Sequence, residues 1–137
     1  YTSQNGAKIG YEYYIPKNIS SNPPLITTLY GAGQGYKNGK ADFGSSNLRN
    51  LLLNGNADSK AIVLLPFAKA YDGDMAGTIG GDKKYTEAYL ELVNIFDDKF
   101  KCSSKTLVSH SYGGNAALTL LIHIQVYMML QYFLVLM

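Results

Sequence analysis

One short string concentrates the chemistry of this sequence: Ser109-His110-Ser111-Tyr112-Gly113-Gly114. It follows an apolar, β-branched run, Thr106-Leu107-Val108, and precedes a stretch that reads as a helix from Tyr112 onward. A serine on a sharp strand-to-helix turn projects its hydroxyl from the sheet edge, and the helix N-terminus behind it offers unpaired N–H groups to an anion. Small residues two places either side, here Ser109 and Gly113, let the strand and helix backbones pass closely. The alternative for the same string is a helix N-cap serine followed by a flexible turn. A second string, Gly31-Ala32-Gly33-Gln34-Gly35, breaks the strand-like run Leu25–Tyr30 with unusual backbone freedom.

Other chemistries fail on spacing. Gly31-x-Gly33-x-Gly35 is not Gly-x-Gly-x-x-Gly, because residue 36 is Tyr and no helix starts there, which argues against dinucleotide binding. Gly39-Lys40-Ala41 lacks the Ser/Thr of a phosphate-binding loop, and the glycine five places earlier is Gln34. Asp72-Gly73-Asp74 has no further carboxylate at calcium-loop spacing and reads as a solvated turn. Neither Ser-x-x-Lys nor His-Glu-x-x-His occurs. No metal site and no cofactor are expected. Asn18-Ile19-Ser20 matches a glycosylation sequon, but a plain polar loop explains it equally, and the sequence leaves the compartment open.

The elements that would position these residues follow from periodicity. Ile9, Tyr11, Tyr13 and Ile15 alternate with Gly10, Glu12 and Tyr14, a strand that Pro16 ends. A linker rich in Asn, Ser and Pro runs from Lys17 to Pro24. Ser45 or Ser46 caps a short predicted helix with Leu48, Leu51 and Leu52 on its buried face, stopped by Asn54-Gly55. Ala61 to Leu65 reads as a buried strand closed by Pro66, and a long loop covers 68–83. Tyr89, Leu92, Val93, Phe96 and Phe100 then fall at i, i+3, i+4, i+7 and i+11, the clearest helical stripe in the chain. Strands alternating with helices imply a mostly parallel α/β sheet with helices on both faces. The loops after Tyr30 and Ser109 should then share one rim.

Composition bounds the rest. At 137 residues and 47% apolar content, one domain with a real core is expected. A net charge of +2 excludes a strongly basic nucleic-acid grip. The single cysteine, Cys102, excludes an intrachain disulfide framework and any Cys-x-x-Cys site. All twelve basic and ten acidic residues lie at or before Lys105, so the last 32 residues carry no formal charge.

With those strings in place, the sequence resembles the α/β-hydrolase family of esterase- or peptidase-like serine hydrolases. Leu29-Tyr30-Gly31-Ala32-Gly33 is similar to the family's His-Gly-x-Gly oxyanion loop, with Tyr30 in the place of the His. Ser109-His110-Ser111-Tyr112-Gly113-Gly114 is similar to its Gly-x-Ser-x-Gly nucleophile elbow, with Ser109 in the place of the first Gly. Tyr13–Pro16 and Ala61–Pro66 resemble its early strands. The likeness spans about residues 8 to 121, the family's first half. It implies Ser111 as the nucleophile, the backbone N–H groups of Tyr112 and Ala32 as oxyanion donors, and Gly31, Gly33, Gly113 and Gly114 as loop-shaping residues. A small-molecule ester or amide would be the substrate.

The chain order of that family's triad is Ser, then Asp or Glu, then His. No Asp or Glu follows Ser111, and the later histidine, His123, lies twelve residues along the same predicted helix, about 18 Å away at 1.5 Å per residue. His110 adjoins Ser111, and neighbours across such a turn point apart. The 137 residues are therefore expected to form an incomplete α/β-hydrolase-like domain, truncated after the nucleophile helix, with neither triad acid nor base and little or no esterase activity. Residues 116–137 are apolar except for Thr119, His123, Gln125 and Gln131. Truncation or a frame change near Leu121 explains this atypical 122–137 tail, ahead of a buried core helix or a membrane anchor, since no Lys or Arg flanks the segment. The alternative function is a non-catalytic fragment whose tail binds membrane, a partner chain or itself.

Overall fold

The computed structural model of the chain describes residues 1–31, 35–37, 40–42, 60–68, 79, 82–127 and 132–136. Seven strands and two long helices are described: β1 (Ile9–Tyr14), β2 (Leu25–Leu29), β3 (Gly35–Lys37), β4 (Lys40–Asp42), β5 (Ile62–Ala68), α1 (Lys83–Phe100), β6 (Lys105–Ser109), α2 (Gly113–Tyr127) and β7 (Tyr132–Leu136). Five strands form one sheet in the order β1-β5-β2-β6-β7, and β3 and β4 pair separately. β1 runs antiparallel to β5, while β5, β2, β6 and β7 are mutually parallel along the sheet. The expected mostly parallel α/β architecture is what the chain adopts. The predicted helix at Leu48–Leu52, the loop at 69–78 with Asp72 and Asp74, and the Ala32-Gly33 pair lie outside the described residues.

The central strands bury both faces, β5 with apolar side chains from Ile62 to Leu65, and β2 and β6 with Thr27, Thr28 and Ser109 among theirs. In β5, Ile62 and Leu64 join a cluster with Leu25, Leu29 and Leu107, and the alternating Val63 and Leu65 join Tyr30 and Val108 on the opposite face. Both described helices cover the first face. α1 brings Ala88, Tyr89, Leu92, Val93 and Phe96, and α2 brings Ala116, Ala117 and Leu120. The predicted stripe of α1 is thus the buried one, with Phe100 left at its half-buried end. Asp82 caps α1 by accepting from the Lys84 N–H at 2.9 Å, and Lys101 ends it in the left-handed conformation (φ 51°). Two polar links fix the helix to the sheet. The buried Tyr89 hydroxyl donates to Thr27 Oγ1 at 3.0 Å, and Asp97 forms an ion pair with Lys105 at the start of β6.

Two expectations need correction. Pro66 does not close its strand, because β5 continues to Ala68 with Pro66 opposite Tyr11 of β1. The register with β2 ends at Leu64, so Pro66 lies beyond that ladder, where proline is tolerated. On the edge strand β1, Tyr11 and Tyr13 are 36% and 57% exposed, and their rings lean on Phe96 at centroid distances of 5.9 and 5.8 Å. The apolar C-terminal run is not one continuous helix. It divides into α2 and β7, and β7 pairs parallel with β6 from Lys105↔Tyr132 to Ser109↔Leu136. Among the described residues, no helix is long and apolar enough to cross a membrane.

One contact positions α2. A Cβ built on Gly113 would lie 2.5 Å from the Leu29 carbonyl oxygen, 2.7 Å from that of Tyr30 and 2.9 Å from the Leu29 carbonyl carbon. These are backbone atoms of the central strand, so nothing flexible can give way. Gly113→Ala is expected to lower stability by about 1–3 kcal/mol, as overpacking against fixed backbone does, measurable as a fall in the urea midpoint at unchanged slope. Leu92→Ala, in the middle of the α1 stripe and 1% exposed, should cost about 2–5 kcal/mol in the same experiment through the cavity it leaves.

Candidate active site

The order of the strands creates the site. After β2 the chain moves to β5 on one side of β2, and after β6 it moves to β7 on the other side. The carboxyl ends of these two neighbours are therefore the topological switch point of the sheet, the place where sites form in such folds. Leu29 pairs with Ser109 at those ends, so the residues following each lie on the same rim. The His110 N–H donates to the Leu29 carbonyl at 3.2 Å and ties the two strand ends together one step beyond the ladder.

From there the backbone reverses direction in three residues. Gly113 N–H donates to the His110 carbonyl (2.9 Å), Gly114 N–H to that of Ser111 (2.9 Å), and Asn115 N–H to that of Tyr112 (3.1 Å). Ser111, at the apex, has φ 54°, one of three non-glycine residues with positive φ among those described. A β-carbon is disfavoured there, and a side chain is held in that conformation only where the surroundings over-determine it. Here they do so through the Leu29–His110 link behind the serine and the Gly113 contact ahead of it. The serine side chain is exposed, Tyr112 is 45% exposed, and among the described residues the Tyr112 N–H meets no acceptor. The expected strained serine between strand and helix is therefore present in the backbone.

The neighbouring residues have sorted themselves by face. Ser109 fits where a glycine was expected, because it is an ordinary ladder residue of β6 and is 1% exposed. Its cost is a buried Oγ with no hydrogen-bond partner among the described residues, a penalty on the order of 1–3 kcal/mol. Tyr30, in place of a histidine, is fully buried with Val63, Leu65 and Val108 and so belongs to the core. His110 is half-buried with an unpartnered Nδ1, a packed strand-end histidine as expected. His123 lies far along α2. Gly31 is buried at the end of β2. Ala32 and Gly33 are outside the described residues, so the second oxyanion donor is not located. Cys102 offers no rival nucleophile, since burial, with Asp97 adding to it, pushes its thiol up and keeps it protonated. The described residues contain no cluster of His, Cys, Asp and Glu able to hold a metal ion. The β3–β4 hairpin that follows the glycine loop was not anticipated, although Asn38-Gly39 between its strands is the residue pair that two-residue hairpin loops favour.

No protein-family model matches the sequence, and no curated protein matches it either. Solved structures do. A thermostable esterase superposes with a TM-score of 0.69 at 17% identity, over 93% of this chain and 36% of that one. Brefeldin A esterase, a bacterial homologue of human hormone-sensitive lipase, gives 0.63 at 13% identity, over 91% and 34%. The acetyl xylan esterase of Aspergillus awamori gives 0.58 at 20% identity, over 83% and 42%. The chain thus spans well under half the length of these proteins, and within that span its fold is that of the α/β-hydrolase esterases.

Proposed function

We propose that the chain carries the nucleophile portion of a serine-hydrolase site acting on carboxylic esters. The observation that carries this reading is the positive φ of Ser111 at the β6–α2 turn, on the rim between β2 and β6. A serine needs that awkward conformation when its hydroxyl must stand clear of the sheet in front of a helix N-terminus. The Ser111 hydroxyl would attack the ester carbonyl carbon and lose its proton to a general base, leaving a tetrahedral oxyanion. The Tyr112 N–H would hold that oxygen, with the Ala32 N–H as its second donor. Collapse would expel the alcohol, and water would release the acid from the Ser111 acyl-enzyme. The glycines at 31, 33, 113 and 114 would shape the two loops. Esters are the substrate class because the structural neighbours are esterases by name.

In this reading the 137 residues supply no base and no orienting acid. Residues 112–137 contain no Asp or Glu, His110 is packed at the strand end, and His123 is about 18 Å along the helix. The oxyanion donors would act alone, and such a remnant supplies about 10³–10⁴-fold over water.

Two measurements test this. A fluorophosphonate should phosphonylate Ser111 and no other residue, slowly, and Ser111→Ala should abolish the adduct in the intact mass spectrum. Labelling that maps elsewhere would reject Ser111 as the nucleophile. Hydrolysis of a nitrophenyl ester should run about a million-fold below that of an intact triad enzyme. A Ser111-dependent turnover near that of ordinary esterases would instead mean that these residues contain a base.

A further inference from the structure

We propose that Asn18 is an acceptor site for an N-linked glycan. Of the ten asparagines in the sequence, Asn18 alone has Ser or Thr two residues on, with no proline at 19 or 21. That pattern by itself fits any polar loop, so the geometry must decide. Lys17 and Asn18 form the turn that follows β1. Asn18 and Ser20 are exposed, while Ile19 between them is half-buried against the core. The two groups that a glycan transferase reads together, the carboxamide and the hydroxyl two residues on, are thus both open to solvent, and Ile19 anchors the backbone between them. Other asparagines show the contrary case. Asn22 Nδ2 donates to the Lys101 carbonyl at 2.8 Å and Asn5 Nδ2 to that of Lys84 at 2.9 Å, each tying a loop to α1 or its C-terminal cap. Among the described residues, neither the Asn18 carboxamide nor the Ser20 hydroxyl has a hydrogen-bond partner.

The place of the turn in the fold suits the modification. β1 is antiparallel to β5 and ends with Tyr14 opposite Val63, so the chain leaves it at the amino ends of β5, β2 and β6. Ser111 follows the carboxyl end of β6, and the run from Lys105 to Ser109 sets the two rims about 13 Å apart. A glycan on Asn18 would stand off the rim opposite Ser111. The connection that carries it is held on both sides. Pro16 is buried before it, and after it the Ser103 N–H donates to the Pro23 carbonyl at 3.2 Å and the Leu25 N–H to that of Ser104 at 2.9 Å. In the transfer, the Asn18 carboxamide nitrogen forms a bond to the anomeric carbon of an oligosaccharide carried on a lipid pyrophosphate. The anomeric carbon–oxygen bond breaks, the pyrophosphate leaves with that electron pair, and the carboxamide gives one proton to the transferase.

The 1–137 chain, translated behind a cleavable signal peptide in the presence of microsomes, tests this. Only chains protected from added protease, and so inside the vesicles, are scored. The expected result is a single step to lower gel mobility, reversed by an N-glycan amidase that converts the Asn18 amide to the acid. Asn18→Gln and Ser20→Ala should each abolish the step, and Ser20→Thr should keep it. Asn22→Gln, which removes a carboxamide already bonded to Lys101, should leave it unchanged. In the purified chain, Asn18→Gln should not move the urea midpoint, because the carboxamide it replaces holds nothing together. Protected chains without a glycan overturn the proposal, as does a glycan that persists in Asn18→Gln or is lost in Ser20→Thr. A lower urea midpoint for Asn18→Gln also overturns it, since the carboxamide would then be engaged in the fold.

Discussion

The passage of the α2 N-terminus across the carbonyls of Leu29 and Tyr30 is the constraint on which the site depends. At 2.5–2.9 Å from a would-be Cβ, strand and helix meet backbone to backbone, and only a glycine at 113 permits it. Because the helix must begin so close to the central strand, the chain has three residues in which to turn out of β6. Ser111 takes the positive φ that this short path demands. The strain is local, and the wider packing sustains it. α2 is held down by Ala116, Ala117 and Leu120, β6 is held by Asp97 of α1 through Lys105, and β2 is bound on both sides. Small residues at 116 and 117 serve the same end, since larger ones would lift the helix from the sheet.

That arrangement explains why the serine lies at this place in the sheet. The strands that follow β2 and β6 lie on opposite sides of that pair, so the carboxyl ends of the two are the switch point of the sheet. The exposed Ser111 lies at that switch point, beside a Tyr112 N–H that meets no acceptor among the described residues. Residues that would take part in proton transfer are a separate matter, and nothing after Ser111 provides a carboxylate.

The sequence made some of this legible and hid the rest for physical reasons. α1 was readable because its core face repeats at helical spacing and its outer face is charged, so Tyr89, Leu92, Val93 and Phe96 stood out. Ser111 was readable because small residues at 109 and 113 have a steric purpose only at a tight strand-to-helix turn. The tail was not readable. In 116–137 nearly every residue is apolar, so neither the helical nor the strand period leaves a mark, and the division into α2 and β7 is decided by a vacant sheet edge beside β6. Pro66 misled because a proline is barred from the doubly laddered part of a strand but not from a position beyond one of its two ladders.

The proposed role of Ser111 turns on its being held beside the Tyr112 N–H by the backbone itself, and a crystal structure of the phosphonylated chain tests this most directly. Ser111 should retain a positive φ close to the 54° found here, with a phosphonyl oxygen about 3 Å from the Tyr112 nitrogen. A Ser111 relaxed to negative φ, with that oxygen turned to solvent away from Tyr112, would contradict it.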